Sequence, residues 1–118
     1  MATLLLIDDL DLFRESLGRK LRVSGHMVYA PANLADVCDV ARTIQLDWVL
    51  LDWFLWEGIR GGAVYEKLLE IQPDLSGRVI LLTGGAGMEE IEKFSRDSGC
   101  PIWEKLLSPE QMNLIGSH

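Results

Sequence analysis

The chain has 118 residues, 48% hydrophobic and 25% charged, an ordinary composition for one soluble globular domain with a core of its own. Its 18 acidic residues outnumber 11 basic ones, giving a net charge of -7; with no Lys/Arg cluster, direct nucleic-acid binding is disfavoured. The longest apolar stretches reach about half of the ~20 residues a membrane span needs, and MATLLLIDD meets carboxylates too early for a signal peptide, so a cytoplasmic location without membrane insertion is expected.

Residues 3–9, TLLLIDD, open with a continuous apolar run, the mark of a strand buried on both faces. Leu12 or Phe13, then Leu17 and Leu21, recur at helical spacing, and Ser24-Gly25-His26 supplies a glycine stop. MVYA, 27–30, is a second short strand. Leu34, Val37, Ala41 and Ile44 step by three and four, with Asn33 placed to cap that helix. DWVLLDW, 47–53, is a third strand, and EGIRGG, 57–62, a glycine-rich loop. Val64, Leu68 and Ile71 mark a third helix stopped by Pro73. RVILLT, 78–83, is a fourth strand, GGAG a turn, and Met88, Ile91 and Phe94 a fourth helix. PIWEK, 101–105, is a fifth strand, and SPEQMNLI starts a short fifth helix with Ser108 as cap and Pro109 in its first position.

Five strands alternating with five helices predict an α/β domain with a parallel sheet covered on both faces. Residues 1–118 read as a single domain, and the closing Gly116-Ser117-His118 is compatible with an appended remnant. Cys38 and Cys100 form no CxxC pair and are expected to be reduced core residues.

Ligands of doubly wound sheets bind at the carboxyl ends of the strands. Strand one ends in Asp8 and Asp9, strand three in Asp52, strand four in Thr83 and strand five in Lys105. Each has an ordinary role if taken singly: helix cap, turn residue, strand former, surface lysine. Four strand ends carrying such groups together point to a site. Three close carboxylates repel one another and favour a hard divalent cation; Mg²⁺ held by few carboxylates together with water and a phosphate is a common arrangement. A central carboxylate that attacks phosphorus, with a lysine and a hydroxyl on the phosphoryl oxygens, has what phosphoryl transfer requires.

This pattern resembles the receiver domain of two-component response regulators over nearly the whole chain. The resemblance implies a flavodoxin-like (βα)5 sandwich with strand order 2-1-3-4-5. It implies that Asp52 accepts a phosphoryl group from a phosphohistidine of a sensor histidine kinase or its phosphotransfer domain. Asp8, Asp9, Asp52 and the backbone carbonyl of Phe54 would hold Mg²⁺, and Thr83 and Lys105 would contact the phosphoryl oxygens. Such a protein catalyses only its own phosphorylation and dephosphorylation, turns over no free metabolite, and signals to a downstream protein in trans or within a longer parent chain. ILLTGG and PIWEKLLSPEQM are most similar to receivers of hybrid sensor histidine kinases.

Five positions depart from the family pattern. Trp56 stands where a proline usually lies, and Arg60 where a glycine does, with Gly61-Gly62 following as if one residue were inserted. Leu106 replaces the proline after the lysine; a cis bond before a non-proline residue costs about 3 kcal/mol, so a trans bond is predicted. Ile102 occupies the place of the switch aromatic, and its neighbour Trp103 points to the opposite face and is expected to pack in the core or at the rim. Phe54 either shields the phosphoryl group from water or covers core. Trp53 is expected in the core, although Trp53 with Trp56 is also compatible with an exposed apolar patch. The alternative reading is a receiver-like interaction module independent of phosphorylation. A phosphatase whose nucleophile is followed two residues later by a second aspartate is disfavoured by Phe54, and a flavodoxin by the carboxylate pair, which would repel an FMN phosphate.

Overall fold

The computed structural model describes residues 1–84, 88–105 and 107–115. Its five strands are β1 (Thr3–Ile7), β2 (Met27–Tyr29), β3 (Trp48–Asp52), β4 (Val79–Thr83) and β5 (Ile102–Glu104). They alternate with α1 (Asp11–Val23), α2 (Leu34–Thr43), α3 (Gly61–Ile71), α4 (Met88–Ser98) and α5 (Pro109–Ile115). Single 3-10 turns at Trp56–Gly58 and Pro73–Leu75 precede and follow α3. All strand pairs are parallel, in the order β2-β1-β3-β4-β5. The fold is the doubly wound sandwich that the alternation predicts.

Strand side chains alternate between two cores, as the period of two requires. Leu5, Ile7, Val49, Leu51, Val79 and Leu81 face Val37 and Ala41 of α2, Val64 and Leu68 of α3 and Ile91 of α4. Leu4, Leu6, Val28, Leu50, Ile80 and Leu82 face Leu17 and Leu21 of α1 and Met112 and Ile115 of α5. Both sheet faces are covered, which is why the strands read as unbroken apolar runs.

The helix ends follow local chemistry. The Asn33 side chain accepts the Asp36 N–H at 2.9 Å and caps α2. Ser108 and Gln111 form a reciprocal capping box at α5, with Pro109 in the first helical position. In α1 the choice between Leu12 and Phe13 resolves in favour of Phe13: Leu12 is 85% exposed, and Phe13 packs against the α1/α5 core. Helix α3 starts earlier than its apolar spacing suggested, because Gly61 and Gly62 form its first turn rather than part of the preceding loop. Cys38 and Cys100 are both buried and free.

Two polar side chains tie elements that no strand joins. His26 Nδ1 accepts the Ala2 N–H at 3.2 Å, which leaves the proton on Nε2 to donate to the Met112 carbonyl at 2.9 Å. The Gln72 amide donates to the carbonyls of Ala41 at 2.6 Å and Ile44 at 2.5 Å, while its oxygen accepts the Leu46 N–H at 3.3 Å. Gln72 thus closes the C-terminal end of α2 from the end of α3. Substitution Gln72→Ala is expected to lower unfolding free energy by about 1–3 kcal/mol in chemical denaturation, since it leaves three backbone groups to find other partners.

Candidate functional site

The register of the sheet brings the carboxyl ends of β1, β3 and β4 side by side. Ile7 pairs with Leu51, and Asp52 with Leu82. Asp8 therefore leaves the sheet beside Asp52, and Thr83 ends the neighbouring strand. The Lys105 N–H donates to the Thr83 carbonyl at 3.0 Å, which sets the lysine directly after β5 at the same rim.

Asp8 is 0% exposed and Asp52 4% exposed. Asp8 Oδ1 accepts the Leu10 N–H at 2.8 Å, and the buried Arg14 donates to the Asp8 carbonyl at 3.0 Å and to Asp11 Oδ1 at 2.6 Å. The turn from β1 into α1 is thereby held from both sides. Asp52 Oδ1 accepts the Trp53 N–H at 2.9 Å, and Oδ2 accepts Lys105 Nζ at 3.0 Å. The same ammonium lies 3.1 Å from Asp8 Oδ2 and 4.9 Å from the centre of the Phe13 ring. One lysine thus bridges two buried carboxylates. Asp8 Oδ2, though ion-paired at that distance, lacks an aligned hydrogen bond among the described residues.

Asp8, Asp9 and Asp52 each offer a carboxylate oxygen, and these atoms lie within 4.8 Å of one another. Three acids at that spacing, one with an oxygen that has no hydrogen bond, fit a hard cation. A cleft of ≈ 210 Å³ opens above them and takes in Asp9, Asp52, Phe54, Thr83 and Lys105. Thr83 is buried, and its hydroxyl donates to Met88 Sδ at 3.6 Å. Five of the six residues singled out in the sequence line this cleft, and the sixth, Asp8, lies buried next to Asp52.

Burial and the Asp8 charge push the Asp52 carboxyl up to about 6, against partial relief from Lys105 and the Trp53 N–H. Burial works against the Lys105 ammonium, but its hydrogen bond and attraction to Asp52, followed by the Asp8 charge, outweigh it and hold the lysine above its ordinary value.

The loop after β3 explains how the chain accommodates its unusual residues. Phe54 and Arg60 form an isolated antiparallel bridge. Its hydrogen bonds run from Leu55 N–H to the Ile59 carbonyl at 2.9 Å and from Gly61 N–H to the Trp53 carbonyl at 2.6 Å. The bridge is made by the neighbours of Phe54, so it does not use the Phe54 carbonyl. The loop turns tightly at Trp56–Gly58, where Glu57 has φ 55° and Gly58 φ 77°. Gly61 then passes close to the end of β3: a Cβ there would meet the Asp52 carbonyl oxygen at 2.8 Å.

Trp53 is buried and meets Phe94 of α4 in a tilted contact with ring centres 5.2 Å apart, and Trp56 packs partly against the same core. The exposed Trp53/Trp56 patch is therefore not formed: two residues after Leu51, Trp53 falls on the same face and joins the same core. Ile102 and Trp103 pack on opposite sheet faces, Ile102 with the α2–α4 core and Trp103 with the α1/α5 core. The Lys105–Leu106 peptide, the Gly85-Ala86-Gly87 turn and residues 116–118 lie outside the described residues.

Arg14, Phe13 and Met88 support the site without having been recognised in the sequence. Phe13 and Met88 were legible only as helix-face apolar residues. An arginine three residues after Asp11 marks an i,i+3 pair, but nothing local shows that it turns back to the Asp8 carbonyl.

No family profile matches the sequence, and no curated protein does. Solved structures do match. A CheY-like response regulator receiver domain protein from Methanospirillum hungatei JF-1 is 21% identical with TM-score 0.77, covering 98% of this chain and 97% of that one. The chemotaxis protein CheY4 of Vibrio cholerae is 20% identical with TM-score 0.80, covering 97% and 94%. A Burkholderia pseudomallei response regulator, solved with a phosphorylated aspartic acid, a calcium ion and citrate, is 23% identical with TM-score 0.79, covering 98% and 66%. This chain shares their fold. No described helix is long and apolar enough to cross a membrane.

Two outcomes are expected. Gly61→Ala forces Cβ into the Asp52 backbone and is expected to cost about 2 kcal/mol or more in denaturant unfolding. The folded chain holds the Asp52 proton more tightly than the unfolded one, whose value is 3.8 against about 6, so stability without divalent ions falls as pH rises through that window and then levels off. In chelator at pH 8, Asp52→Asn is expected to be more stable than the parent by about 1–3 kcal/mol, a gain that fades toward pH 4.

Proposed function

We propose that this chain is a phosphoacceptor receiver domain. In this reading it takes a phosphoryl group onto Asp52 from a phosphohistidine of a sensor histidine kinase or its phosphotransfer domain. The observation that carries it is the shared ammonium: Lys105 holds Asp52 at 3.0 Å and Asp8 at 3.1 Å beneath an open cleft. The fold shared with response regulators supports it, including one solved with a phosphorylated aspartic acid and a bound divalent ion.

Asp8, Asp9, Asp52 and the Phe54 carbonyl would hold magnesium. When bound, that ion would offset the acid cluster and keep Asp52 ionised at neutral pH. Asp52 supplies the nucleophile. Its carboxylate oxygen forms a bond to phosphorus as the bond from phosphorus to the donor's imidazole nitrogen breaks, and the imidazole leaves with a proton from solvent. Lys105 moves its ammonium onto a phosphoryl oxygen as charge is redistributed, and Thr83 turns its hydroxyl from Met88 to another oxygen. Little else is required, because such transfer rests on positioning and charge stabilisation.

The chain turns over no free metabolite; it catalyses its own phosphorylation and dephosphorylation. The signal leaves through the face formed by α4, β5 and α5, to a downstream protein in trans or in a longer parent chain such as a hybrid kinase, in the cytoplasm. Ile102 in place of an aromatic means that this face is not switched by ring rotation at that position.

Incubating the protein with Mg²⁺ and acetyl phosphate is expected to add one phosphoryl group by intact mass. The Asp52→Asn variant and chelator-treated protein are expected to add none. If the parent chain gains nothing from any donor, the phosphorylation-independent interaction module takes precedence. Multiple turnover of a phosphate ester would indicate a phosphatase instead.

A further inference from the structure

On the reading of Asp52 as phosphoacceptor, we infer that Arg60 is a positioning residue: it clamps the Phe54 ring at the mouth of the cleft and thereby sets how fast water reaches the aspartyl phosphate. Phe54 lines the cleft with Asp52, Thr83 and Lys105. It is 38% exposed, so the core does not fix its ring. Arg60 supplies what the core does not. It is Phe54's partner in the backbone bridge, and its guanidinium lies 4.7 Å from the centre of the ring.

The guanidinium is anchored in turn. Its Nε donates to Glu90 Oε1 at 3.2 Å, and Nη1 donates to the Gly58 carbonyl at 3.3 Å. Glu90 belongs to the first turn of α4, two residues after Met88, whose sulfur accepts the Thr83 hydroxyl. The clamp thus spans the cleft mouth from the loop after β3 to the helix that already touches Thr83. Both charged side chains are about half exposed, so the pair adds little to global stability. Its effect belongs in the position of the ring.

Hydrolysis of the phosphorylated protein forms a bond from a water oxygen to phosphorus and breaks the bond from phosphorus to the Asp52 oxygen. Asp52 returns to carboxylate, and both protons of the water leave on inorganic phosphate. The water enters from the solvent side of the cleft, where Phe54 sits. A ring held over that opening slows entry; a released ring does not.

The test phosphorylates the full chain with Mg²⁺ and acetyl phosphate, removes the donor by desalting, and follows loss of the phosphoryl group by intact mass. Arg60→Ala is expected to lose it about two- to five-fold faster than the parent, and Glu90→Gln about two-fold faster. Arg60→Lys should fall between Arg60→Ala and the parent. Phe54→Ala should be at least as fast as Arg60→Ala, and adding Arg60→Ala to it should change nothing further. Thermal midpoints of the Arg60 and Glu90 variants should match the parent. Equal lifetimes for Arg60→Ala and the parent would overturn the inference, as would the same acceleration by Arg60→Ala in a Phe54→Ala background. Failure of the parent to take up any phosphoryl group is a separate result, and it would remove the underlying reading as well.

Discussion

The site depends on one ammonium shared between two buried carboxylates. Asp8 and Asp52 are almost wholly removed from water, and two such charges side by side are tolerated only if a cation or a proton offsets them. Lys105 supplies part of that offset from the far edge of the sheet. With Asp9 included, three acids still face one lysine, so the pocket retains an excess of negative charge. Burial first, and then the Asp8 charge, push the Asp52 carboxyl up to about 6. On the proposed reading, a bound divalent ion would relieve that excess, and Lys105 would then be free to hold a phosphoryl oxygen.

Topology makes this concentration of charge possible. In the order β2-β1-β3-β4-β5 the first and third strands are neighbours at the centre, so the acids that follow them meet although more than forty residues separate them in sequence. The next strand brings Thr83 and the last brings Lys105. Strands β1, β3, β4 and β5 each stop at the rim where the apolar run gives way to a polar residue. Below that boundary the sheet is dry on both faces, which keeps the carboxylates rigid and desolvated; above it the cleft opens to solvent.

The loop after β3 is where the chain departs most from receiver-like patterns, and backbone geometry absorbs the departures. The chain reverses in a tight turn with two residues at positive φ, after which Gly61 passes against the Asp52 carbonyl where no side chain fits. Trp53 anchors the start of the loop on Phe94 of α4, and Arg60 ties its end to Glu90 of the same helix. Loop and helix α4 are therefore joined at two points. On the proposed reading, these contacts would give a change at Asp52 a short physical route to α4.

Sequence by itself determined the alternation of strands and helices, because a sheet covered on both faces demands unbroken apolar runs and its helices demand a three-to-four spacing. It also determined the caps at Asn33 and Ser108 and the polar residues at four of the five strand ends, since both are local chemistry. Helix α3 was read as starting too late because two glycines weigh against a helix in isolation; the close approach to Asp52 that requires Gly61 is a contact between segments. The inward ring of Trp53, the reach of Arg14 to the Asp8 carbonyl, the choice of Phe13 over Leu12 and the clamp of Arg60 on Phe54 were likewise decided only by tertiary structure. The reason is common to all of them: each depends on which atoms of distant segments come within a few ångströms, and that distance is set by strand order and register, to which no local spacing of residues has access.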